Sequence, residues 1–243
     1  MKDYFKEITN ISDLYSVQIN IPDEIPDEMP KYVESLGERL AKFKDHSNIE
    51  EMHAFFAVEE SGSLKELRLK SAFNDAGMFG FVSWKWVNPF VEWIGTKRVL
   101  EVMAGRGWLT HALRIKGVPV IATDDFSWAN GGGWKEPLTQ VDHLDAIESV
   151  KLYGEQIDIL IISWPYMNDT AYEVLKELHK VNPTALCVYI GEGPGGCTAS
   201  DKFFSHFEDE HEMENASKWV EVQDNFQRWH GFHDRPAVGR YRK

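Results

Sequence analysis

The first residues whose types and spacing suggest chemistry lie in "RVLEVMAGRGWLT", residues 98–110, where small residues follow an apolar run. Gly105 and Gly107 come after a predicted strand and before a predicted helix. Glycine lets the backbone turn tightly there, and the free N–H groups at the start of a helix attract an anion. Ligands of parallel sheets bind at the carboxyl ends of the strands. The pattern predicts a ligand site, although a plain strand-to-helix turn remains an alternative.

Two carboxylates flank this turn. Glu101 precedes it, and Asp124 ends the next apolar run, in "VIATDD" (120–125). A dinucleotide site has G-x-G-x-x-G/A and an acid about 20 residues later. Asp124 has that offset, but Thr110 stands where the third glycine belongs, and Glu101 would lie beside a pyrophosphate. These two features count against a nicotinamide cofactor, which stays open as an alternative.

A ligand with a cation at one end and a diol in the middle fits the two carboxylates better. S-adenosyl-L-methionine has an ammonium, a sulfonium and a ribose, and it has no phosphate. Glu101 is expected to hold the ammonium directly or through water, while N–H groups of the turn meet the ligand's carboxylate. Asp124 is expected to accept both ribose hydroxyls, with Asp125 as a neighbouring alternative.

Two stretches resemble the class I S-adenosylmethionine-dependent methyltransferases. "VLEVMAGRG" is similar to that family's first motif, acid-x-x-x-Gly-x-Gly, with Met103 where many members have a glycine, and "VIATDD" resembles the second-strand motif. The resemblance covers about 98–194. It implies a donor site formed by Glu101, Ala104, Gly105, Gly107 and Asp124.

The resemblance also implies that an acid after the third strand meets the adenine. "TQVDHLDAIESV" offers Asp142 and Asp145. Asp145 is also placed to cap the helix that begins there. Asp142 is therefore the preferred candidate, and Asp145 stays open.

The tetrapeptide Ser163-Trp164-Pro165-Tyr166 follows the apolar run "DILII". It resembles the Asp/Asn/Ser-Pro-Pro-aromatic sequence of the family's amino-methylating members, with Trp164 in place of the first proline. The resemblance implies that Ser163, Pro165 and Tyr166 shape the acceptor site, and that the acceptor is a nitrogen of a small molecule or a protein. An ordinary turn after a buried strand is the alternative.

These residues need a scaffold, and the hydrophobic pattern predicts an α/β fold. Apolar runs of strand length alternate with helical patterns, which is typical of a Rossmann-like, mostly parallel sheet with helices on both faces. The predicted strands lie at 98–103, 118–123, 157–162 and 185–190. Residues 219–243 suggest two further strands, a C-terminal antiparallel hairpin at the edge of the sheet.

The chain before this scaffold has a different pattern. Residues 1–80 are predicted to be a helical N-terminal region, and 81–243 the S-adenosylmethionine-binding domain. The first region has helical spacing at 32–43 and 49–59, and a capping-box sequence at Ser63 opens a third helix. The segment 81–95 is predicted to be a helix broken near Pro89.

Composition limits the partners. The chain has 243 residues and a formal net charge of −13, which repels phosphate backbones, so nucleic acid is not an expected substrate. A small molecule or a basic protein is expected instead. No metal site is predicted from the nine histidines, and no membrane span or signal peptide, so a cytoplasmic location is expected. Besides methyl transfer, a non-catalytic binding or assembly protein with this fold and an NAD(P)-dependent oxidoreductase stay open.

Overall fold

The structure of the protein is a computed structural model that describes residues 21–26, 62–128, 136–210, 213 and 215–242. The predicted helices at 32–43 and 49–59 lie outside these residues, as does most of the predicted N-terminal region 1–80. No helix of the described residues is long and apolar enough to span a membrane.

Helices and strands alternate through most of the described chain. The helices are α1 (Gly62–Asp75), α2 (Trp84–Ile94), α3 (Trp108–Ile115), α4 (Ala146–Tyr153), α5 (Thr170–Val181), α6 (Asp201–His206) and α7 (Ala216–Asn225). The strands are β1 (Val99–Val102), β2 (Val120–Asp124), β3 (Asp142–His143), β4 (Ile159–Ser163), β5 (Leu186–Gly191), β6 (Phe207–Asp209) and β7 (Arg235–Tyr241). A short 3₁₀ turn, Gly154–Gln156, follows α4.

The strands form one seven-stranded sheet in the order β3-β2-β1-β4-β5-β7-β6. The first five strands are parallel, whereas β7 runs antiparallel to both β5 and β6. The predicted Rossmann-like sheet is confirmed. Because β1, β4 and β5 are parallel and begin in register, their carboxyl ends meet at one edge, where the ligand of such a sheet binds.

Helices cover both faces of this sheet, which explains why its central strands are apolar along their whole length. Along β4, Ile159 and Ile161 pack into a core with α1, α2, α3 and α7. Leu160 and Ile162 point to the other face and pack with α4, α5 and α6. The sheet is therefore buried on both sides and holds its strand ends rigidly.

The C-terminal antiparallel strand is confirmed, but its surroundings differ from the prediction for 219–243. Residues up to Asn225 belong to α7, because Trp219 and Val222 lie three residues apart and are both buried on one helical face. The strand β7 pairs with β5 and with β6, and so it lies inside the sheet instead of at its edge.

The predicted break at Pro89 is wrong, since α2 continues through it. Proline inside a helix removes one backbone hydrogen bond. Burial offsets this loss: Pro89 is itself buried, and Phe90 stacks on Trp93 with ring centroids 5.8 Å apart. Trp93 also packs on Trp219 of α7 at 4.8 Å. Tertiary packing thus overrides the local preference of proline.

The predicted helix that starts near Ser63 is present as α1. Its Leu69 and Phe73 are buried, and Phe73 packs edge-to-face on Phe81 with centroids 5.3 Å apart. These contacts anchor α1 in the same core as α2, and its neighbouring residues Lys70 and Asn74 thereby reach the cavity at the sheet edge.

Candidate active site

A cavity of about 480 Å³ opens at the carboxyl ends of β1, β2 and β4. This volume lies within the range of small-molecule sites. Two groups of lining residues differ in chemistry. The acidic half consists of Glu101, Gly105, Asp124, Asp125, Trp128 and Asp145; the aromatic half consists of Lys70, Asn74, Ser163, Trp164, Pro165, Tyr166 and Phe232.

The turn after β1 forms the floor of the acidic half. Its backbone is left-handed at three positions, with φ of 54° at Met103, 56° at Gly105 and 76° at Gly107. Glycine adopts this conformation freely, whereas another residue pays about 1 kcal/mol or more. Met103 stands where the resembling family has glycine, and the backbone takes a conformation that favours glycine there. The departure in sequence therefore does not prevent the left-handed turn.

The residues of this turn that were predicted to bind the methyl donor do not all line the cavity. Ala104 and Gly105 line the cavity. Gly107 does not: a Cβ atom there would lie 3.0 Å from the side chain of Val141 and 3.1 Å from that of Thr139. Gly107 thus has a packing role as well as a backbone one.

Asp124 joins the turns that follow β1 and β2. Its Oδ2 accepts a hydrogen bond from the Gly105 N–H at 2.7 Å. Its Oδ1 accepts from the Phe126 N–H at 2.7 Å and from the Trp128 indole at 2.9 Å. Burial raises the pKa of this carboxyl, and the three hydrogen bonds oppose that effect. These hydrogen bonds fix the side chain at the cavity wall.

Glu101 is almost completely buried, with 2% of its surface exposed, and it reaches the cavity from β1. Burial raises the pKa of its carboxyl to about 7, against the lowering effect of the Thr110 hydroxyl and the charge of Arg114. The Thr110 hydroxyl donates to Glu101 Oε2. The residue that breaks the dinucleotide motif thus supports the carboxylate.

The structure brings Asp145 to the cavity and leaves Asp142 outside its lining. Asp142 lies on β3, and its side chain accepts from the Gln140 amide at 3.0 Å. Asp145 follows the end of β3, where it caps α4 by accepting from the N–H groups of Ile147 at 2.8 Å and Glu148 at 3.2 Å. Asp145 reaches the cavity because it lies beyond the end of β3, whereas Asp142 lies on the strand.

The tetrapeptide Ser163–Tyr166 lines the aromatic half with all four residues. Trp164 has a φ of 49°, which a proline, fixed near −65°, cannot adopt. Its backbone N–H donates to the Ile190 carbonyl at 2.7 Å, and its indole donates to Asp234 Oδ2 at 3.2 Å. This turn therefore differs in backbone from a Pro-Pro turn, although Ser163, Pro165 and Tyr166 all line the cavity.

Three residues of the aromatic half were not predicted from the sequence: Lys70, Asn74 and Phe232. Each lies far along the chain from the tetrapeptide, and none belongs to a recognisable motif. Gly80 is a related case, because a Cβ atom there would lie 2.6 Å from the Trp164 ring. Within the described ranges, no group of three or more His, Cys, Asp or Glu side chains is arranged to hold a metal ion.

Comparison with models of known protein families gives no match, and comparison with curated protein sequences gives none either. Among solved structures, the chain is similar to a SAM-dependent methyltransferase from Archaeoglobus fulgidus, with 14% identity and a TM-score of 0.41, over 64% of this chain and 91% of that one. It is also similar to a TehB-like SAM-dependent methyltransferase from Corynebacterium glutamicum, with 13% identity and a TM-score of 0.40, over 73% and 98%.

A third similar structure is 1,6-didemethyltoxoflavin-N1-methyltransferase from Burkholderia thailandensis, with 14% identity and a TM-score of 0.39, over 65% of this chain and 77% of that one. At these scores the likeness is too distant to assign an activity to this chain.

Proposed function

We propose that the protein is an S-adenosylmethionine-dependent methyltransferase. The observation that carries this proposal is the acidic half of the cavity, where four carboxylates, Glu101, Asp124, Asp125 and Asp145, line the space beyond β1, β2 and β3. Such a wall repels a pyrophosphate and attracts a cation. It suits a ligand that carries an ammonium, a sulfonium and a diol.

Sheet topology supports the same choice over a nicotinamide cofactor. The usual dinucleotide-binding sheet has the parallel order 3-2-1-4-5-6. Here the sixth position is occupied by the antiparallel strand β7. Thr110 also fills the place of the third glycine and hydrogen-bonds to Glu101. Both features depart from a dinucleotide site, as does the charge of the wall.

The chain's own residues would bind and orient this donor. Glu101 would hold the ammonium, and Asp124 the ribose, since its Oδ2 accepts only the Gly105 hydrogen bond and keeps a further lone pair. Asp145 is our candidate for the adenine amino group, in place of Asp142. When bound, S-adenosylmethionine supplies an electrophilic methyl group on sulfur.

The proposed acceptor is a nitrogen presented from the aromatic half. The Ser163 hydroxyl lines the cavity and makes no hydrogen bond to the described residues, so it is available to accept one from an N–H group. In-line transfer needs the nitrogen lone pair to be aimed at the methyl group. Ser163 and the aromatic walls would provide that aim.

Calorimetry with S-adenosylhomocysteine and NAD tests the donor site. We expect micromolar binding of the first and little heat from the second. Asp124→Ala should weaken binding by about 1.5–3 kcal/mol, the scale of a hydrogen bond to a charged group. Asp142→Ala is the matched control and should leave the affinity unchanged, because Asp142 lies outside the cavity lining.

Thermal unfolding of both variants separates a lost contact from a lost fold, since Asp124 also ties two turns together. Binding of NAD without binding of S-adenosylhomocysteine would contradict the proposal. So would an Asp124→Ala variant that folds and binds S-adenosylhomocysteine as tightly as the unaltered protein.

A further inference from the structure

Lys70 has an unusual environment in the aromatic half of the cavity. Only 9% of its surface is exposed, and its Nζ lies 4.0 Å from the centre of the Phe232 ring and 5.8 Å from that of Trp164. With the Asn74 amide oriented so that its nitrogen donates to the Met78 carbonyl at 3.2 Å, its oxygen accepts from Lys70 Nζ at 2.9 Å. Lys70 forms no ion pair with any described carboxylate.

The acidic side chains near Lys70 make their hydrogen bonds to other groups. Glu192 accepts from the Cys197 N–H at 2.8 Å through Oε2 and from the His233 N–H at 3.2 Å through Oε1. Asp234 accepts from the Trp164 indole through Oδ2, its buried Oδ1 has no hydrogen-bond partner among the described residues, and burial raises the pKa of its carboxyl. Neither carboxylate lines the cavity.

The ammonium of Lys70 is therefore only partly compensated. Burial lowers the pKa of Lys70, and the attraction of Cys197, Asp234 and Glu192 offsets this only in part. A buried charge without a partner is costly, and an anion placed against it recovers part of that cost. Lys70 lines the cavity, so a ligand bound there can supply an anion that completes the environment of the ammonium.

The cavity is thus divided by charge. Every carboxylate that lines it belongs to the acidic half, and Lys70 is the only cationic side chain among the described lining residues. A protonated amine in the aromatic half would meet a like charge. An anion there would meet an opposite one.

The geometry points to a methyl acceptor that is a planar aromatic molecule with an acidic substituent, held by the Lys70 ammonium; this rests on the proposed methyl transfer. Trp164 and Phe232, with ring centroids 6.2 Å apart, and the exposed ring of Tyr166 offer faces for a planar ring. The acidic group meets Lys70 and Asn74, and the ring nitrogen is turned toward the acidic half. Basic peptide segments do not suit this wall.

Binding of matched acid and amide pairs tests the inference. Nicotinate against nicotinamide, and indole-3-carboxylate against indole-3-carboxamide, are titrated into the full chain by calorimetry, with and without saturating S-adenosylhomocysteine. We expect the acid of at least one pair to bind tenfold or more tighter than its amide. Lys70→Gln should remove this preference and leave the amide's affinity within about threefold, less than the 1.4 kcal/mol of a tenfold step.

Two variants serve as controls. Lys70→Arg keeps the charge and should keep a preference for the acid, whereas Lys151→Gln removes an exposed charge on α4 outside the cavity lining and should change nothing. Equal or tighter binding of both amides, no binding of either acid, or an acid preference that survives Lys70→Gln would overturn the inference.

Failure of the donor proposal has a separate signature. S-adenosylhomocysteine is titrated alone, so its lack of binding would count against methyl transfer. A Lys70-dependent preference for the acids in that case would leave an anion site without the proposed reaction. Unfolding of Lys70→Gln is followed in parallel, and Lys70→Met replaces it if the glutamine variant does not fold.

Discussion

The carboxyl of Glu101 is buried at the cavity, and its charge depends on what is bound beside it. Its burial raises the pKa to about 7, so at pH 6 the ligand-free protein holds it mostly protonated. An ammonium placed beside it favours the ionised form and lowers that pKa. Binding of S-adenosylhomocysteine at pH 6 should therefore release nearly one proton, because the ligand's α-ammonium is already charged at that pH.

Calorimetry at pH 6 in two buffers of different ionisation enthalpy measures this proton. Glu101→Gln should release none and should bind more weakly. The same variant should be more stable than the unaltered protein at pH 8 by roughly 3 kcal/mol, since a carboxyl whose folded pKa is raised loses stability as pH rises from about 4.5 to 7. Equal proton release from both proteins would contradict this role of Glu101.

At the scale of elements, a residue other than glycine adopts a left-handed backbone conformation in the turn between β1 and α3. Met103 has a φ of 54°. Met103→Gly and Met103→Ala lose the same packing against the neighbouring core, but only glycine relieves the backbone. The glycine variant should be more stable than the alanine variant by about 1 kcal/mol, the reverse of the usual order. Denaturant unfolding of the pair checks this; a more stable alanine variant would show that the turn is not strained.

The helices and strands also show which parts of the fold can be predicted from the sequence. The central strands were predictable because β1, β2, β4 and β5 are buried on both faces and therefore apolar throughout. The helix through Pro89 and the helix α7 were not, because contacts such as Trp93 with Trp219 decide them, and these residues are far apart in the chain. The local conformational preference of a residue is overridden where folding buries a large aromatic surface.

The acidic half of the cavity, unlike those helices, could be predicted from local sequence. Glu101, Gly105 and Asp124 lie at consecutive strand ends, so their spacing in the sequence already indicates that they meet. The aromatic half joins α1, the loop after β4 and Phe232, and no local pattern connects them. The choice between Asp142 and Asp145 depended on where the two-residue strand β3 stops, which spacing alone does not determine.

For the whole molecule, charge sets the class of partner. A formal net charge of −13 opposes binding to nucleic acid. Of the cations near the C-terminus, Arg240 pairs with Glu210. We expect no tight binding to duplex DNA at about 150 mM salt, where phosphate contacts dominate affinity. A mobility shift at nanomolar protein would refute this, and the same assay near 20 mM salt shows whether any weak contact is electrostatic.

The two cysteine thiols of the chain differ in exposure, so a thiol reagent can be used to probe the cavity. Cys187 lies buried in β5, while Cys197 is exposed and lines the cavity beside Thr198. Partial desolvation of the sulfur and the nearby Glu192 raise the pKa of the Cys197 thiol to about 11, so alkylation is slow at neutral pH and faster in mild alkali. A maleimide or iodoacetamide reagent thus modifies the native protein at a single place. Occupancy of the cavity by any compound can be followed as protection of that one sulfur, without a label, a tag or a known reaction.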